Sequence, residues 1–145
     1  MVYRKGISAV VFKRKGKNVR FLLLHRFQNW TGWEFLKGGL KNRENEESCL
    51  KRELREETGV RKYLSAEIDY RYGYRWNKEY VKDNNTYHGA SFTLFVVEDK
   101  DKTDRIRIDK CEHSGYKWVD GRKAVKMLTY ANQRKALRFV LSHYF

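Results

Sequence analysis

The stretch GGLKNRENEESCLKRELREETGV, residues 38–60, contains the most regular pattern in this chain. It predicts a helix over residues 45–58, because Asn45 is a favourable N-cap and Gly59 is a favourable residue at which to end a helix. The glycines before it predict a flexible loop over residues 37–39. A loop followed by a highly charged helix is therefore the segment from which we infer the fold and the site.

The glutamates of this helix crowd together on one side. A rotation of about 100° per residue places Leu50 and Leu54 on the face that packs against a sheet. The acidic residues that fall in the neighbouring arc are Glu53, Glu56 and Glu57, with Glu46 one or two turns earlier. The cationic residues that we expect to point elsewhere are Lys51, Arg52 and Arg55.

This charge pattern disfavours the helix unless a cation binds to it. The pairs Glu53–Glu57 and Glu53–Glu56 each cost roughly 0.2–0.5 kcal/mol, and negative charge near a helix C-terminus is also unfavourable. A divalent cation would relieve these penalties, and oxygen ligands favour magnesium, manganese or calcium over zinc. The alternative is a solvated glutamate-rich face on which Arg52 and Glu56 form an i,i+4 pair.

The composition describes a folded, basic chain of 145 residues, of which 41% are hydrophobic, 15% aromatic and none proline. That length fits one compact domain over residues 1–145. The formal net charge of +14 attracts polyanions, although a lysine-rich proteome would produce part of the excess. Cys49 and Cys111 form no metal-binding pair, and neither a signal peptide nor a membrane span is predicted, so we expect a cytoplasmic location.

The remaining strands and helices flank the charged segment. The predicted strands cover residues 7–13 and 20–26, which form a hairpin, and residues 33–36, 66–76, 87–98 and 116–119. The further predicted helices cover residues 121–128 and 132–143, and the predicted loops cover residues 77–86 and 99–109. Strands with interspersed helices predict an α/β or α+β layered domain.

The charged segment resembles a known family. Gly38, five residues, Glu44, seven residues and then RELREETGV at residues 52–60 resemble the Nudix box at each of its defined positions. The flanking strands and the C-terminal helix are also similar to that fold, an α/β/α sandwich with a mixed β-sheet between helices. The resemblance implies a magnesium-dependent hydrolase, with manganese as a substitute ion, that acts on a nucleoside diphosphate linked to another moiety.

The resemblance also implies roles for the matching residues. The positions implied to hold the metal are Glu53, Glu56, Glu57 and the carbonyl of Gly38. The residue matching Arg52 orients the carboxylates, and the one matching Glu44 ties the loop to the helix. The chemistry of the substrate agrees with a metal-binding role for these residues, because a pyrophosphate repels a water nucleophile until cations neutralise its charge.

The sequence leaves the identity of the general base undetermined. A carboxylate whose pKa is raised by like-charged neighbours can accept the proton of water. In some Nudix enzymes it is a box glutamate, here Glu53 or Glu56. In others it comes from a distant loop, for which Glu112 and Glu98 are the candidates, and Glu112 is equally compatible with a surface role.

Two other segments are similar to diadenosine tetraphosphate hydrolases within this family. TGWEFLKGGL, residues 31–40, resembles their WxFPKGH-type lead-in, with Leu36 where proline is usual and Gly39 where histidine is common. Lys37 is a candidate ligand for the polyphosphate, and its alternative role is a solvated loop lysine.

The second segment, EHSGYKWVDGRKAVKMLTYANQRKAL at residues 112–137, looks like the C-terminal signature of that subgroup. The resemblance implies an adenine stacked between two aromatic rings. Tyr130 is the candidate for one ring, with a partner among Tyr70, Tyr72 and Tyr74. The alternative is that these strand tyrosines pack on the sheet.

Histidines give weaker signals. His25 ends a predicted strand and is a candidate ligand for a phosphate, as in some diadenosine tetraphosphate hydrolases. His88 and His113 have modest claims to the same role. A histidine with a purely structural partner is the alternative for each of them.

The leading hypothesis is therefore asymmetrical hydrolysis of diadenosine tetraphosphate to ATP and AMP. Its rivals within the family are removal of pyrophosphate from the 5′ end of RNA, which the +14 charge suits, and hydrolysis of nucleoside triphosphates. A non-catalytic RNA-binding module is the alternative from another class. Three clustered carboxylates argue against that module, because they repel a polyanion.

Overall fold

The computed structural model describes residues 2–82, 84–101 and 105–145. Its elements, in chain order, are β1 Tyr3–Lys15, β2 Asn18–Arg26, β3 Gly32–Glu34, β4 Leu36–Gly39, α1 Glu46–Thr58, β5 Tyr63–Lys82, β6 Asn85–Asp99, β7 His113–Val119, α2 Gly121–Met127 and α3 Ala131–Tyr144. Within these residues, no helix combines the length and the apolar character that crossing a bilayer requires.

One mixed sheet holds the seven strands, and β1 lies in its middle. Along one edge β1 pairs in parallel with β6, and along the other it pairs antiparallel with β4 and then with β2. β5 pairs with β6, while β3 and β7 pair with β2. A strand that is paired on both edges and covered on both faces has to be apolar, which explains the buried run from Ile7 to Phe12.

Helices cover both faces of this sheet. Leu50 and Leu54 of α1 pack into one apolar core with Ile7 of β1. Leu137 and Val140 of α3 pack into a second core on the other face. The predicted α+β layers, with a mixed sheet between helices, are confirmed.

The capping signals of α1 are also confirmed. The Asn45 side chain accepts a hydrogen bond from the Ser48 amide at 2.8 Å, and the Ser48 hydroxyl oxygen accepts one from the Asn45 amide. Gly59 ends the helix with a φ of 78°, a conformation that favours glycine. The predicted first hairpin and the helices near residues 121–128 and 132–143 are present as β1–β2, α2 and α3.

The predicted flexible loop over residues 37–39 is wrong. These residues belong to β4, where Lys37, Gly38 and Gly39 pair with β1. The glycines allow other groups to approach the strand closely and do not make it flexible. A Cβ atom on Gly39, for example, would collide with the guanidinium of Arg4. The lead-in to α1 is therefore a fixed strand.

The predicted polar loop over residues 77–86 is also wrong. Strands β5 and β6 continue through this region, and Tyr80 pairs with Tyr87 in a long hairpin. The turn needs only a few polar residues, among them Asn84 with a φ of 63°. Of the loop predicted over residues 99–109, residues 105–109 lie outside strands and helices, and residues 102–104 lie outside the described residues.

Candidate active site

The carboxylates of α1 meet β4 at Gly38. Glu53 and Glu57 are only 8% and 5% exposed, whereas Glu56 is largely exposed. A Cβ atom on Gly38 would overlap the carboxyl group of Glu53, so glycine is required for this approach. The carbonyl oxygen of Gly38 faces the helix, 3.9 Å from the Sγ atom of Cys49. One strand and one helix thus bring the Glu53 carboxyl group against Gly38, whose carbonyl faces the same helix.

Burial raises the pKa of Glu53 to about 7. Arg52 acts in the opposite direction, while the nearby charges of Glu57 and Glu56 raise the pKa further. These three carboxylates are therefore close enough to repel one another, as the helical spacing predicts. Glu46 lies apart from them, because it contacts Glu67 of β5 instead.

Arg52 does not point away from the glutamates, so that prediction is wrong. Its Nε and Nη2 donate to the two carboxylate oxygens of Glu44 at 2.7 and 2.8 Å, and its Nη1 donates to Glu53 at 2.8 Å and to Glu56 at 3.3 Å. A helical wheel gives the direction of Cβ alone, and this long side chain turns back over its own helix. Its Nη2 also donates to the carbonyl of Gly39 at 3.1 Å, which joins α1 to β4.

Glu44 completes that network. Its hydrogen bonds to Arg52 hold the pKa of its carboxyl down at about 2, and its Oε1 accepts the amide of Lys41 at 3.0 Å. A carboxylate that stays ionised at every physiological pH keeps the arginine in place. The structure therefore brings Glu44, Arg52, Glu53 and Glu56 into one hydrogen-bonded group.

A second buried network lies beside the first, and most of its residues were not predicted from the sequence. His113 of β7 is 3% exposed, and its Nε2 and Nδ1 lie 2.8 Å from Glu34 and 3.1 Å from Glu57. Burial lowers the pKa of His113, but the hydrogen bonds to the two glutamates outweigh it and raise that pKa to about 9. His113 is therefore a buried cation that donates from both ring nitrogens.

Glu34 of β3 is 1% exposed and was not predicted as a site residue from the sequence. Burial acts to raise its pKa, but His113, Lys37 and Arg26 outweigh that effect and lower it. Its Oε1 accepts no hydrogen bond from the described residues and lies 3.5 Å from the Nζ atom of Lys37. A glutamate inside the apolar run WEFL was the signal that could have identified it.

Glu112 lies at the edge of this network rather than on a remote surface. Burial, and after it the charge of Glu57, raises the pKa of Glu112. Ligand atoms of Glu57, Glu112 and His113 lie within 4.8 Å of one another. Glu98, the other candidate base from outside the helix, is not brought to this group: it pairs with Phe12 at the far end of β1 and lies 3.1 Å from Lys100.

The donor set fits a hard divalent cation. Carboxylate oxygens and the Gly38 carbonyl are the ligands that magnesium or manganese prefers. Both ring nitrogens of His113 already lie within hydrogen-bond distance of glutamate oxygens. The oxygens of Glu53, Glu56, Glu57 and Glu112 are thus the ones that could hold an ion.

A cavity of about 170 Å³ opens beside Glu112 and Gly38. Lys37 and Tyr74 line it, together with Arg26, Gly38 and Glu112. The Nζ atom of Lys37 lies 5.1 Å from the ring centroid of Tyr74. The structure therefore places a cation and an aromatic ring beside the acidic group, as a nucleotide polyphosphate would require.

The aromatic residues predicted to enclose an adenine with Tyr130 have different surroundings in the structure. Tyr70 packs on Phe139, and the buried Tyr72 bonds to Ser8 through its hydroxyl group. Tyr130, which is 44% exposed, instead meets Trp30 edge to face at 4.7 Å. The Trp30 ring lies 5.9 Å from the Nζ atom of Lys37, so the pair still borders the lysine.

His25 is not brought to the carboxylates. It follows Leu24, which packs toward α1, so the alternation of the strand directs His25 to the other face. Its Nδ1 lies 2.8 Å from the Ser114 hydroxyl, and its ring meets Trp33 at 4.7 Å. His88 also lies elsewhere, beside Glu79 on the long hairpin.

Comparisons with known proteins agree with this fold. The NUDIX domain family model matches residues 2–139. An RNA pyrophosphohydrolase of a Nitratiruptor species is 28% identical over 146 residues, which is 98% of this chain and 93% of that protein. The crystal structure of a C. elegans Ap4A hydrolase binary complex superposes with a TM-score of 0.75 at 21% identity and covers 96% of both chains.

A further relative is much longer than this chain. An octanoyltransferase of Myxococcus xanthus is 30% identical over 139 residues, which is 92% of this chain but only 36% of that protein. The chain thus spans about a third of the length of this relative. The similarity concerns one part of that protein.

Proposed function

We propose, because this chain belongs to the NUDIX domain family, that it is a magnesium-dependent pyrophosphohydrolase that cleaves diadenosine tetraphosphate asymmetrically to ATP and AMP. The observation that carries the substrate class is the position of Lys37. Its ammonium lies 3.5 Å from Glu34 on the acidic side and 5.1 and 5.9 Å from the rings of Tyr74 and Trp30 on the other. A polyphosphate over Lys37 would have aromatic rings beside it for its nucleosides.

In this proposal Glu53, Glu56, Glu57 and the carbonyl of Gly38 hold magnesium, which when bound neutralises phosphate charge and lowers the pKa of water. Lys37 and Arg26, which both line the cavity, neutralise further phosphate charge. Glu53 and Glu112 are the candidate bases, because burial raises the pKa of each carboxyl above that of an ordinary glutamate and makes it a better proton acceptor. Arg52 and Glu44 keep the helix carboxylates oriented.

The positioning of Glu57 depends on a third group. His113 donates to Glu57 and Glu34 together, so the orientation of the glutamate is fixed by a buried cation that itself lies on β7. A protonated histidine partly neutralises the acidic group and makes its assembly less costly. We therefore treat His113 and Glu34 as positioning residues.

Removal of pyrophosphate from the 5′ end of RNA is the second candidate. It is favoured by the similarity to RNA pyrophosphohydrolases and by the formal charge of +14. Hydrolysis of small nucleoside triphosphates is a third activity of the same chemistry. A pure RNA-binding module is disfavoured, because it has no use for buried glutamates that repel phosphate.

One experiment separates these candidates. The protein is incubated with diadenosine tetraphosphate, ATP or triphosphorylated RNA, with magnesium, with manganese or with a chelator, and the products are separated by chromatography. We expect ATP and AMP from the dinucleotide and no product in the chelator. Two molecules of ADP would contradict the proposed asymmetry, and turnover of RNA alone would assign the second candidate.

Matched variants test whether the acidic group is responsible. Glu57→Gln should lose turnover, whereas Glu47→Gln, an exposed glutamate on the same helix, should keep it. Equal activities of the two variants would contradict the assignment. Tight binding of RNA without magnesium and without turnover would instead favour the binding module.

A further inference from the structure

The β5–β6 hairpin carries a local irregularity beyond the site. Arg75 pairs with Gly89 and Tyr80 pairs with Tyr87, so β5 advances five residues where β6 advances two. The surplus residues of β5 form a bulge, a feature that redirects side chains and often lies next to binding sites. Trp76 and Lys78 belong to this bulge.

Aromatic rings continue from the active site along that bulge. The ring of Trp76 lies 6.3 Å from Tyr74 and 5.7 Å from Tyr80, the latter edge to face at 82°. Tyr80 is 45% exposed and belongs to neither apolar core of the described residues. Core packing therefore accounts for Tyr72 and in part for Trp76, which borders the first core, but gives no reason for the exposed ring of Tyr80.

Cationic side chains accompany these rings. Arg4 packs over Gly39 and lines the catalytic cavity. It also lines a separate open cavity of about 350 Å³ together with Trp76, Lys78, Glu79 and Tyr80. We call Arg4, Trp76, Lys78 and Tyr80 the hairpin surface. The carboxylate of Glu79 lies 3.5 Å from His88, so it has a partner of its own.

A wider basic groove borders the same arginine. It has a volume of about 710 Å³, and the cations that line it are Arg4, Lys5, Lys41, Arg43 and Lys82. Its carboxylate among the described residues, Glu44, is hydrogen-bonded to Arg52. Cations thus flank the row of rings from the catalytic cavity to the end of the hairpin.

We propose that the hairpin surface binds single-stranded RNA whose 5′ polyphosphate lies in the active site. Flat rings next to cations match a polymer in which bases alternate with phosphates, and stacking accepts any base. A lipid surface or an acidic peptide offers no flat groups for the rings. This inference rests on the proposed function in one respect, that the site accepts a 5′-linked polyphosphate.

Binding to RNA that lacks a 5′ phosphate tests the surface separately from the chemistry. Labelled oligouridylates with a 5′ hydroxyl group, two to twelve nucleotides long, are titrated with the full chain in chelator, and fluorescence anisotropy is recorded. We expect the affinity to rise with length and then to level off. An affinity that is the same for two and twelve nucleotides would overturn the inference.

Matched variants locate the contact. Tyr80→Ala should weaken binding of the longest RNA by about fivefold to 150-fold, the range that stacking on one ring supports. The control is Tyr144→Ala, an equally exposed tyrosine on α3 at 45%, which lies beside Phe145 at the other end of the sheet. Equal affinities of the two variants would overturn the inference.

The salt dependence provides a second measurement that does not depend on the rings. Lys78→Gln should reduce the slope of log affinity against log salt by about 0.7, the value for one phosphate contact of a single strand. Lys17→Gln, in the exposed turn between β1 and β2, is the control and should not change it. An unchanged slope in the Lys78→Gln variant would overturn the proposal that RNA binds to the hairpin surface.

The two proposals fail in different ways. If neither the dinucleotide nor triphosphorylated RNA is hydrolysed, the proposed function fails, while length-dependent binding of 5′-hydroxyl RNA still supports the hairpin surface. If hydrolysis occurs and binding is independent of length, only the hairpin surface fails.

Discussion

Replacing Glu53 with glutamine should stabilise the metal-free protein increasingly as the pH rises. Burial raises the pKa of Glu53 to about 7 in the folded state, compared with 4.5 for an ordinary glutamate. As the pH rises through this interval, the unfolded chain loses its proton before the folded protein does, so the stability contributed by Glu53 falls. Its side chain is only 10% exposed, so solvent screening removes little of this effect.

The size of the effect follows from the two pKa values. Between pH 5.5 and pH 8.5 the wild type should lose about 2 kcal/mol of unfolding free energy through Glu53, a loss that glutamine cannot show. Glutamine still offers an oxygen to Arg52, so the hydrogen bond at 2.8 Å can persist. The difference between variant and wild type should therefore grow by that amount over this pH range.

Urea denaturation in chelator, followed by tryptophan fluorescence at both pH values, measures this difference. Glu47→Gln, on the exposed side of the same helix, is the control and should show no such growth. Magnesium at a hundredfold excess over its dissociation constant should then stabilise the wild type by about 2.7 kcal/mol at the higher pH and the variant by much less. A difference that is constant with pH would refute the argument that Glu53 is a buried carboxylate whose ionisation costs stability.

Three other substitutions address neighbouring atoms. Glu57→Gln should remove most of the turnover while the unfolding free energy stays within about 1 kcal/mol of the wild type, and loss of cooperative unfolding would show a structural role instead. Gly38→Ala should abolish turnover with an unchanged circular dichroism spectrum, because the new Cβ atom displaces the Glu53 carboxyl, and full activity would contradict that geometry. Tyr130→Ala should raise the KM for diadenosine tetraphosphate by about fivefold to 150-fold in steady-state assays, and an unchanged KM would remove the Trp30–Tyr130 pair from the binding site.

The helix and its acidic face were predictable because they depend on local rules. The helix is capped by Asn45 and Gly59 and has a period of about 3.6 residues. All of these signals lie within one short segment of the chain. The same rules placed Glu53 and Glu57 together. They failed for Arg52, because the helical period does not describe where the end of a long side chain lies.

The buried network around His113 was not predictable in this way. Glu34 and His113 lie far apart in the chain and meet because β3 and β7 pair with opposite edges of β2. Trp30 contacts Tyr130 because its loop packs on the start of α3. No local sequence pattern predicts this contact. Such contacts depend on strand register and on loop packing, and both are properties of the whole fold.

The placement of Gly38 on β4 has a consequence for how chains of this kind are classified. Gly38 pairs with Ile7 of β1, so backbone pairing rather than a side chain positions its carbonyl oxygen. Subgroup signatures compare side chains, whereas the metal ligand that we propose at Gly38 belongs to the main chain. Side chains of this segment can therefore differ between two chains that present the same carbonyl, and a comparison of side chains alone would understate the similarity of their sites.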